Sequence, residues 1–508
     1  MSGGARQYDL LVVGGGINGV GVARDAAGRG LGTLLCEQHD LGAHTSSAST
    51  KLIHGGLRYL EFYDFRLVRK SLREREIVLR SAPHLVRPMR FVLPHDEHLR
   101  PAWMIRAGLY LYDHLARRRL LPASRAVDLR RHPAGAALDP RYTQGFVYSD
   151  AAVDDARLVV LAALDARERG ATVLSRTRCV RLERSGDRWT ATLAHADGAE
   201  SRISAAAVVN ATGPWVDRFL DEATPVPARR HPRLVKGSHI VVPRLFEHDH
   251  AYIFQGPDRR IVFAIPYEGD CTLVGTTERD YTGDLATPSI EPAEVTYLLS
   301  MSNRYFRRMV GHADVKWTFA GLRPLLADPS DVATSVTRDY VLDVDQQGPP
   351  LLSIYGGKLT TYRKLAEDVL DGLASRMGWS RRHWTAGAPL PGGDIARADY
   401  AAFRRSVRAE YPWLPDGLLD RMAAAYGTRV RRMLGDARGI SALGEEVLPG
   451  LHAREIDYLR REEWALTAED ILYRRSKLAL HLPADAAERL EEWLVRNPVA
   501  RPADYAAG

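Results

Sequence analysis

The stretch YDLLVVGGGING, residues 8–19, decides the fold, because an apolar strand runs there directly into a cluster of glycines. Gly14 permits the tight turn, Gly16 lets the backbone approach a pyrophosphate, and Gly19 lets the following helix pack close to the strand. The backbone N–H groups at the start of that helix then face the phosphates. The pattern predicts a Rossmann-type dinucleotide site, in preference to an ordinary glycine-rich turn.

The next strand supplies the acid that such a site requires. The sequence TLLCE, residues 33–37, ends on Glu37, 18 residues after Gly19. At about this spacing a carboxylate accepts hydrogen bonds from the ribose hydroxyls of a dinucleotide. Glu37 therefore favours an adenosine ribose without a phosphate on it.

Length and composition predict a large enzyme of two or three domains. The chain has 508 residues, of which 45% are hydrophobic, enough for substantial cores. No apolar run reaches the roughly 18 residues of a membrane span, and no secretion signal precedes the first strand, so we expect a cytoplasmic protein. Cys36, Cys179 and Cys271 are far apart in sequence, so neither a disulfide framework nor a metal site is predicted.

The charge balance is mildly basic. The net charge is +7 and the isoelectric point is near 9.2, which allows an anionic partner such as a phosphorylated substrate, a lipid surface or nucleic acid. Seven lysines leave 63 of the 70 basic residues as arginine. No nucleic-acid recognition motif accompanies them, so no nucleic-acid partner is predicted.

The chain reads as three kinds of segment. Strand and helix signals alternate to about residue 390, which predicts an α/β body. Residues 234–280 are rich in β signals and predict an antiparallel sheet inserted into that body. After LPGGD, residues 390–394, helical periodicity takes over, as at residues 458–472, and predicts a separate helical C-terminal domain.

A first chemical segment follows Glu37 closely. Residues 45–59, TSSASTKLIHGGLRY, combine hydroxyl groups, a histidine and a glycine pair. Such a segment can bind a pyrophosphate and then lie against a flat ring system, since Gly55 and Gly56 remove side chains where the ring must approach. A simple Ser/Thr-rich loop is the alternative.

Two further segments lie late in the α/β body. GLRPL at 321–325 and TRDY at 337–340 carry Arg323 and Arg338, although arginines in this chain are more often surface ion-pair partners. YGGKLTTYR at 355–363 places a glycine pair and Lys358 between an apolar strand and a helix. That turn is suited to an anion or to the polar edge of a ring.

Taken together, these runs resemble the FAD-dependent glycerol-3-phosphate dehydrogenases of the respiratory, quinone-linked type. The resemblance covers nearly the whole chain to about residue 390 and is looser beyond it. The D-amino-acid and glycine oxidase type of flavoenzyme shares the first turn but lacks the HGGLRYLE and GGKLTTYR runs. The runs that carry the resemblance are TSSASTKLIHGGLRYLE, NATGPWV, KGSHIVVP, VGTT, GLRPL, TRDY and YGGKLTTYRKLAE.

The resemblance implies a Rossmann-type FAD-binding domain, an inserted antiparallel-sheet substrate (cap) domain and a helical C-terminal domain. The expected boundaries are 1–95, 151–233 and 319–388 for the FAD-binding domain, 96–150 and 234–318 for the cap, and 389–508 for the C-terminal domain. FAD would be bound non-covalently. Its implied contacts are Gly14, Gly16, Ile17, Asn18, Gly19, Glu37, Thr45, Ser46, Ser49, His54, Gly55, Gly56, Thr212, Gly213, Gly357, Lys358, Leu359 and Thr360.

The implied reaction is oxidation of sn-glycerol 3-phosphate to dihydroxyacetone phosphate, with hydride passing from C2 to the flavin N5 and electrons passing on to a membrane quinone. Arg323 and Lys358 would be catalytic, and His54 or His239 would be the base. The alternatives are an oxidase that uses dioxygen, an amino-acid oxidase-like flavoenzyme, and a flavoprotein or basic scaffold without catalysis. The implied substrate pocket contains Arg58, Tyr59, Arg323, Arg338 and Lys358.

The sequence of residues 101–119 predicts a helix that binds a membrane surface, where a quinone acceptor would be dissolved. At helical spacing Trp103, Ala107, Tyr110, Leu111 and Leu115 form an apolar face, and three arginines close the segment. Such a helix can lie in the interface of anionic inner-leaflet lipid, attaching the protein peripherally to the cytoplasmic membrane. The alternative is a helix packed on the cap. The resemblance also leaves a homodimer open.

Overall fold

The computed structural model describes residues 6–96, 98–326 and 339–498. Within these ranges the strands are β1 Arg6–Val13, β2 Thr33–Cys36, β3 Leu52–Ile53, β4 Val86–Pro94, β5 Arg125–Asp128, β6 Gln144–Val153, β7 Thr172–Leu174, β8 Thr177–Ser185, β9 Arg188–His195, β10 Glu200–Asn210, β11 Arg233–Pro243, β12 Ala251–Gln255, β13 Ile261–Tyr267, β14 Cys271–Gly275, β15 Arg279–Asp280, β16 Trp317–Leu325, β17 Val341–Asp345, β18 Leu351–Tyr355, β19 Glu446–Leu448 and β20 Leu451–His452. The α-helices are α1 Ile17–Gly28, α2 Phe65–Ser81, α3 Ala102–His114, α4 Asp155–Glu168, α5 Val216–Ala223, α6 Pro292–Tyr305, α7 Tyr362–Met377, α8 Tyr400–Glu410, α9 Asp416–Tyr426, α10 Val430–Leu434, α11 Ala453–Glu462 and α12 Ala486–Arg496.

The first sheet is the Rossmann-type layer that the opening glycines predict. Its strand order is β17-β18-β10-β1-β2-β7, and β9 and then β8 extend it from β10. Strands β18, β10, β1, β2 and β7 run parallel, and α1 packs against α4 and α7 beside them. Parallel strands bring their carboxyl ends to one edge, where ligands of such sheets bind.

The second sheet is the cap. Its order is β15-β11-β14-β13-β12-β4-β6-β3, with β16 paired to β11 and β5 paired to β6. The pairing is antiparallel except between β12 and β4. Strand pairing crosses three of the expected boundaries: β4 precedes residue 95, β6 continues past 150, and β16 continues past 318. The cap sheet is thus assembled from two separate stretches of chain, which hold β3 to β6 and β11 to β16.

The C-terminal region is helical, as expected, and has its own apolar core. One detail differs from the sequence pattern, because residues 458–472 do not form one helix. Helix α11 ends at Glu462, and a π-helical turn follows at Asp470–Arg475. Trp464 has a φ of +55°, a left-handed conformation that an α-helix cannot continue through.

Helix α3 begins where the sequence predicts it and ends at His114, so the arginines at 117–119, which close the segment, lie just after the helix. Along all the residues described, no helix is both long enough and apolar enough to cross a membrane.

Candidate active site

A cleft opens at the carboxyl ends of β1, β10 and β18 and has a volume of about 270 Å³. Most of the expected cofactor contacts line it. These are Gly14, Gly16, Ile17, Asn18, Glu37, Thr45, Ser46, Ser49, Thr212, Gly213, Gly357, Lys358 and Leu359.

The three motif glycines have different surroundings. Gly14 has a φ of +110°, and a Cβ there would come 2.5 Å from the Ala211 carbonyl oxygen. A Cβ on Gly19 would overlap the carbonyl oxygen of Gly14. Gly16 is different, since its Cβ would meet only the Ser46 Oγ, at 3.2 Å. Gly14 and Gly19 are therefore required by packing against backbone, whereas Gly16 is limited only by one side-chain hydroxyl at the start of α1.

Glu37 is held by backbone amides at the end of the second strand. It is buried, Gly15 N donates to its Oε2 at 2.7 Å, and His39 N donates to its Oε1 at 2.8 Å. Burial raises the pKa of this carboxyl, and the two amides partly oppose that rise. The carboxylate is fixed at the cleft wall where a ribose would lie.

Asn18 connects the first turn to the last. Its Nδ2 donates to the Gly356 carbonyl at 3.0 Å, and Gly356 and Gly357 have φ values of +76° and +101°. A Cβ on Gly357 would come 2.8 Å from Asn18 Nδ2. Asn18 Oδ1 is buried without a hydrogen-bond partner among the described residues. An acceptor at the cleft wall is thus left for a bound donor.

The hydroxyl-rich segment is only partly turned to the cleft. Ser46 Oγ accepts from Ile17 N at 3.0 Å, but Thr45 Oγ1 donates to the Leu322 carbonyl at 2.8 Å and Ser49 Oγ to Asp155 at 2.7 Å. Thr45 and Ser49 therefore also tie this segment to the cap and to α4.

The glycine pair at 55–56 is explained by packing within the protein. A Cβ on Gly55 would overlap Leu72 and would come 2.5 Å from the Tyr112 hydroxyl. A Cβ on Gly56, whose φ is +77°, would overlap the Tyr59 ring. Packing alone therefore requires both glycines, and the space that they would leave for an approaching ring stays a prediction. Gly19, His54, Gly55, Gly56 and Thr360 do not line the cleft.

Two cations lie where the cap meets the cleft, since Lys358 lines the cleft and Arg323 is next to Pro324 of its wall. Lys358 Nζ lies 4.0 Å from the centroid of the Tyr59 ring, and Arg323 Nη2 donates to Thr276 Oγ1 at 3.0 Å. A Cβ on Gly237 would come 2.6 Å from Arg323 Nη2, so this glycine makes room for the guanidinium.

The positive charges of Lys358 and Arg323 both act on the imidazole of His54. Its backbone N donates to Thr360 Oγ1 at 3.2 Å. Burial is the main cause that lowers the pKa of its imidazole; Asp150 opposes it, and Lys358 and Arg323 add to it. The ring is therefore held neutral beside the two positive side chains.

His239 lies on β11 and is 1% exposed. Its ring stacks on Phe319, with centroids 4.8 Å apart, and its Nε2 is 3.0 Å from Thr50 Oγ1. Burial, then Arg323, then Lys51 lower its pKa well below the ordinary value. Arg323 thus acts on both candidate histidines.

Arg58 and Arg338 are the two remaining residues expected in the substrate pocket. Arg58 is half-buried, and its Nε has no hydrogen-bond partner in the described ranges. Arg338 lies outside the described residues.

Part of the cleft wall was not predicted from the sequence. His44, Trp215 and residues 177–180 line it, and the rings of His44 and Trp215 pack edge to face, 4.7 Å apart. Trp215 falls within the NATGPWV run, which could have suggested it. Residues 177–180 on β8 belong to no recognisable motif, so nothing in the sequence pointed to them. Strand pairing alone brings them to the cleft.

Sequence comparison agrees with this geometry. The model of the family described as "FAD dependent oxidoreductase" matches residues 9–363. The chain belongs to this family. A second model, "C-terminal domain of alpha-glycerophosphate oxidase", matches residues 383–494, so the two matches together span both the sheet domains and the helical domain.

Individual relatives are similar over almost their whole length. A "Glycerol-3-phosphate dehydrogenase" of Pseudomonas aeruginosa is 54% identical over 99% of this chain and 98% of its own. A "D-erythritol 1-phosphate dehydrogenase" of Brucella abortus is 47% identical over 96% and 97%. The solved glycerol-3-phosphate dehydrogenase from Bacillus halodurans complexed with FAD has a TM-score of 0.76 and 28% identity, covering 96% of this chain and 90% of that chain.

These similarities confirm the resemblance that the motifs indicated, the Rossmann-type fold and the FAD cofactor. The residues of the cleft fit that cofactor. Gly16 offers a cradle that a Cβ would narrow, Asn18 Oδ1 is an acceptor without a partner, and Glu37 is a fixed carboxylate.

Proposed function

We propose that the protein oxidises sn-glycerol 3-phosphate to dihydroxyacetone phosphate, using FAD bound non-covalently in the cleft. The observation that carries the proposal is a pair of cations at the cofactor cleft: Lys358 lines the cleft beside the Tyr59 ring, and Arg323, next to Pro324 of the cleft wall, is held by Thr276. The relative that is 54% identical and is named for this activity supports it.

The phosphate of the substrate would be held by arginine. A guanidinium offers two parallel donors to a phosphate, whereas an ammonium acts as a point charge. Arg323 is placed by Thr276 and by the space that Gly237 leaves, and Arg58 and Arg338 are proposed to complete the phosphate site with Tyr59.

Proton removal from the C2 hydroxyl falls to a histidine. His239 is buried and His54 is half-buried, and their lowered pKa values keep them neutral and able to accept a proton near pH 7. When bound, FAD supplies the acceptor for the hydride. Lys358 is proposed to bind negative charge that develops at the flavin edge, because a fixed cation there needs no reorganisation.

The test is anaerobic mixing of the holoenzyme with glycerol 3-phosphate, followed at the flavin absorbance. D-erythritol 1-phosphate is the comparison substrate, chosen because a relative is named for it. We expect faster reduction by glycerol 3-phosphate. Absence of reduction by it, or faster reduction by the erythritol ester, would refute the proposed substrate.

The electron acceptor is proposed to be a membrane quinone. Turnover with a short-chain quinone, run beside a peroxide assay in air, separates this dehydrogenase from an oxidase. Rapid peroxide formation without quinone turnover would favour the oxidase.

Peripheral attachment to anionic lipid is part of this proposal, because a quinone is dissolved in the bilayer. Helix α3 supports it, since Trp103 and Tyr110 on its outer face are 70% and 65% exposed. The turn at 57–62 packs beside α3 and ends in Phe62, with Tyr63 next in the chain; these are 50% and 79% exposed. Aromatic side chains so exposed are typical of surfaces that enter a lipid interface.

A further inference from the structure

A buried ion pair lies beside the candidate site without touching the cleft. Asp155, the first residue of α4, is fully buried, and Lys51 is 4% exposed. Lys51 Nζ donates to both carboxylate oxygens of Asp155, at 2.8 and 3.0 Å. Charges this deeply buried are costly and persist only where they are paired and hydrogen-bonded.

Asp155 also fixes the backbone on the other side of Thr50. Its Oδ2 accepts from Ser49 N at 3.2 Å and from Ser49 Oγ at 2.7 Å. Lys51 has a φ of +59°, a conformation that a lysine keeps only when its surroundings enforce it. Thr50 is thus clamped between two residues that Asp155 holds.

Thr50 in turn contacts the ring of His239. Thr50 Oγ1 lies 3.0 Å from Nε2, and a Cβ on Gly275 would overlap the Cδ2 edge of the ring. The other nitrogen, Nδ1, is buried without a hydrogen-bond partner among the described residues. One ring nitrogen is therefore engaged and the other is left to accept.

Lys51 reaches the same ring by a second route. Its Nζ lies 4.8 Å from the centroid of Phe319, and Phe319 stacks on His239 at 4.8 Å with an interplanar angle of 13°. The edge of the imidazole is held by Thr50 and its face by Phe319. Lys51 touches Phe319 and flanks Thr50.

We infer that Lys51 and Asp155 are positioning residues for His239: they hold Thr50 so that its Oγ1 accepts the Nε2–H, leaving Nδ1 to take the proton of the substrate hydroxyl. This rests on the proposed function, with His239 as the base. A base must present a lone pair in a fixed direction, and the hydrogen bond made by the second ring nitrogen sets which nitrogen that is.

The test uses three changes in the holoenzyme. Thr50→Val removes the acceptor and keeps the shape of the side chain, and Thr50→Ser restores an acceptor. Lys51→Met with Asp155→Asn removes both charges together, so that neither is left unpaired. The matched control is Lys236→Met with Glu294→Gln, since that pair is 2.9 Å apart, 2% exposed on both sides, and lies three residues from His239 on the opposite face of β11.

The first readout is the tautomer of His239, from ¹⁵N-histidine NMR with the signal assigned by its loss in His239→Asn. We expect Nε2–H in the native protein, in Thr50→Ser and in the control, and a mixture of tautomers in Thr50→Val and in the Lys51/Asp155 variant. A native ring protonated at Nδ1, or one unchanged in Thr50→Val, would overturn the inference. The tautomer of His239 in Thr50→Val tests the inference even if the double variant does not fold.

The second readout is the rate of flavin reduction by glycerol 3-phosphate. We expect a fall of about 10- to 100-fold in Thr50→Val and in the double variant, with FAD content and apparent substrate affinity kept, because misplacing a reacting group costs this much. A changed tautomer with an unchanged rate would show that His239 is not the base. If the native protein is not reduced at all, the proposed function fails, while the NMR result still decides whether Lys51 and Asp155 hold the ring.

Discussion

At the scale of single residues, the first turn separates glycines that the protein needs for itself from one that it leaves for a ligand. Gly14 and Gly19 are surrounded by the protein's own backbone, whereas a Cβ on Gly16 would meet only the Ser46 Oγ, at 3.2 Å, at the start of α1. The same substitution should therefore have different effects at neighbouring positions.

Gly16→Val should give a folded, colourless protein. The new methyl groups would occupy the space next to the helix N-terminus that a pyrophosphate needs. Flavin content per chain is the measurement, with circular dichroism as the check on folding. Gly417→Val is the control, since a Cβ at Gly417 meets nothing within 4 Å; full FAD content in Gly16→Val would contradict the assigned cofactor position.

Arg323→Ala should weaken substrate binding and leave the FAD content unchanged. Losing a charge-assisted contact costs about 1.5–3 kcal/mol, which is roughly a 10- to 150-fold rise in the dissociation constant. The dissociation constant for glycerol 3-phosphate is read from the substrate dependence of flavin reduction. Arg233→Ala, which removes the exposed pair with Asp280, serves as the control, and equal affinities in the two variants would exclude Arg323 from the phosphate site.

The protonation of the histidine base should also determine how the reaction rate depends on pH. The pKa of His54 is lowered from 6.5, chiefly by burial, and that of His239 is lowered further. A base works in its neutral form, so its activity should be lost only as pH falls through this lowered pKa. We expect the limiting rate of flavin reduction at saturating glycerol 3-phosphate to hold constant as pH falls through 6.5; this rate is used because the phosphate of the free substrate itself has a pKa of about 6. A limb in the limiting rate centred at or above 6.5 would contradict a histidine base with a lowered pKa.

At the scale of elements, α3 has two faces with different partners. Leu109 and Tyr112 are buried, and the Tyr112 hydroxyl accepts from Gly55 N at 2.8 Å. Trp103, Tyr110 and Leu111 point outward. Leu115, expected on the outer face, instead packs partly buried against the cap core.

Trp103→Ser with Tyr110→Ser should reduce flotation with vesicles of anionic lipid at low salt, while leaving FAD content unchanged. Removing exposed aromatic side chains costs the folded protein little but removes apolar area from the lipid contact. Met309→Ser with Val495→Ser is the control, because these side chains are also exposed, at 66% and 75%. Native protein that stays unbound would refute attachment, and equal flotation of the variants would move the contact elsewhere.

The basic residues after α3 contribute electrostatic attraction to anionic headgroups, separately from the aromatic side chains of the helix. Arg118 donates to the Asp113 carbonyl and pairs with its carboxylate, which leaves Arg117 and Arg119 as the exposed charges. Changing Arg117, Arg118 and Arg119 to Ser should make flotation less sensitive to salt, since fewer anionic headgroups are neutralised.

At the scale of the whole molecule, buried ion pairs join the C-terminal domain to the first sheet domain. Arg157 on α4 pairs with Glu463, both fully buried, and also donates to the Ala425 carbonyl at 2.8 Å. Asp40 receives Arg474 and Arg475 from the π-helical turn. The docking of this domain depends on pairing charges as well as on apolar contact.

Glu463→Gln should destabilise the protein by about 3–5 kcal/mol, because it leaves the Arg157 charge buried and unpaired. The urea midpoint, followed by circular dichroism and by flavin release, is the measurement. Glu168→Gln removes an exposed partner of Arg429 and should cost under about 1 kcal/mol. Equal midpoints would show that the pair does not hold the domain.

The sequence by itself determined the Rossmann turn, the inserted antiparallel sheet and the helical end, because glycine spacing and hydrophobic periodicity are local properties of the chain. It also brought Arg323, Lys358, His54 and His239 to notice as motif residues. Tertiary structure alone decided that the cap sheet joins β3 to β6 with β11 to β16, that Gly55 packs against Leu72, and that Lys51 and Asp155 clamp Thr50. These features depend on contacts between residues as much as 160 positions apart, such as Phe91 and Ala251. Such contacts leave no local pattern, because chain packing, and not sequence spacing, sets which side chains meet.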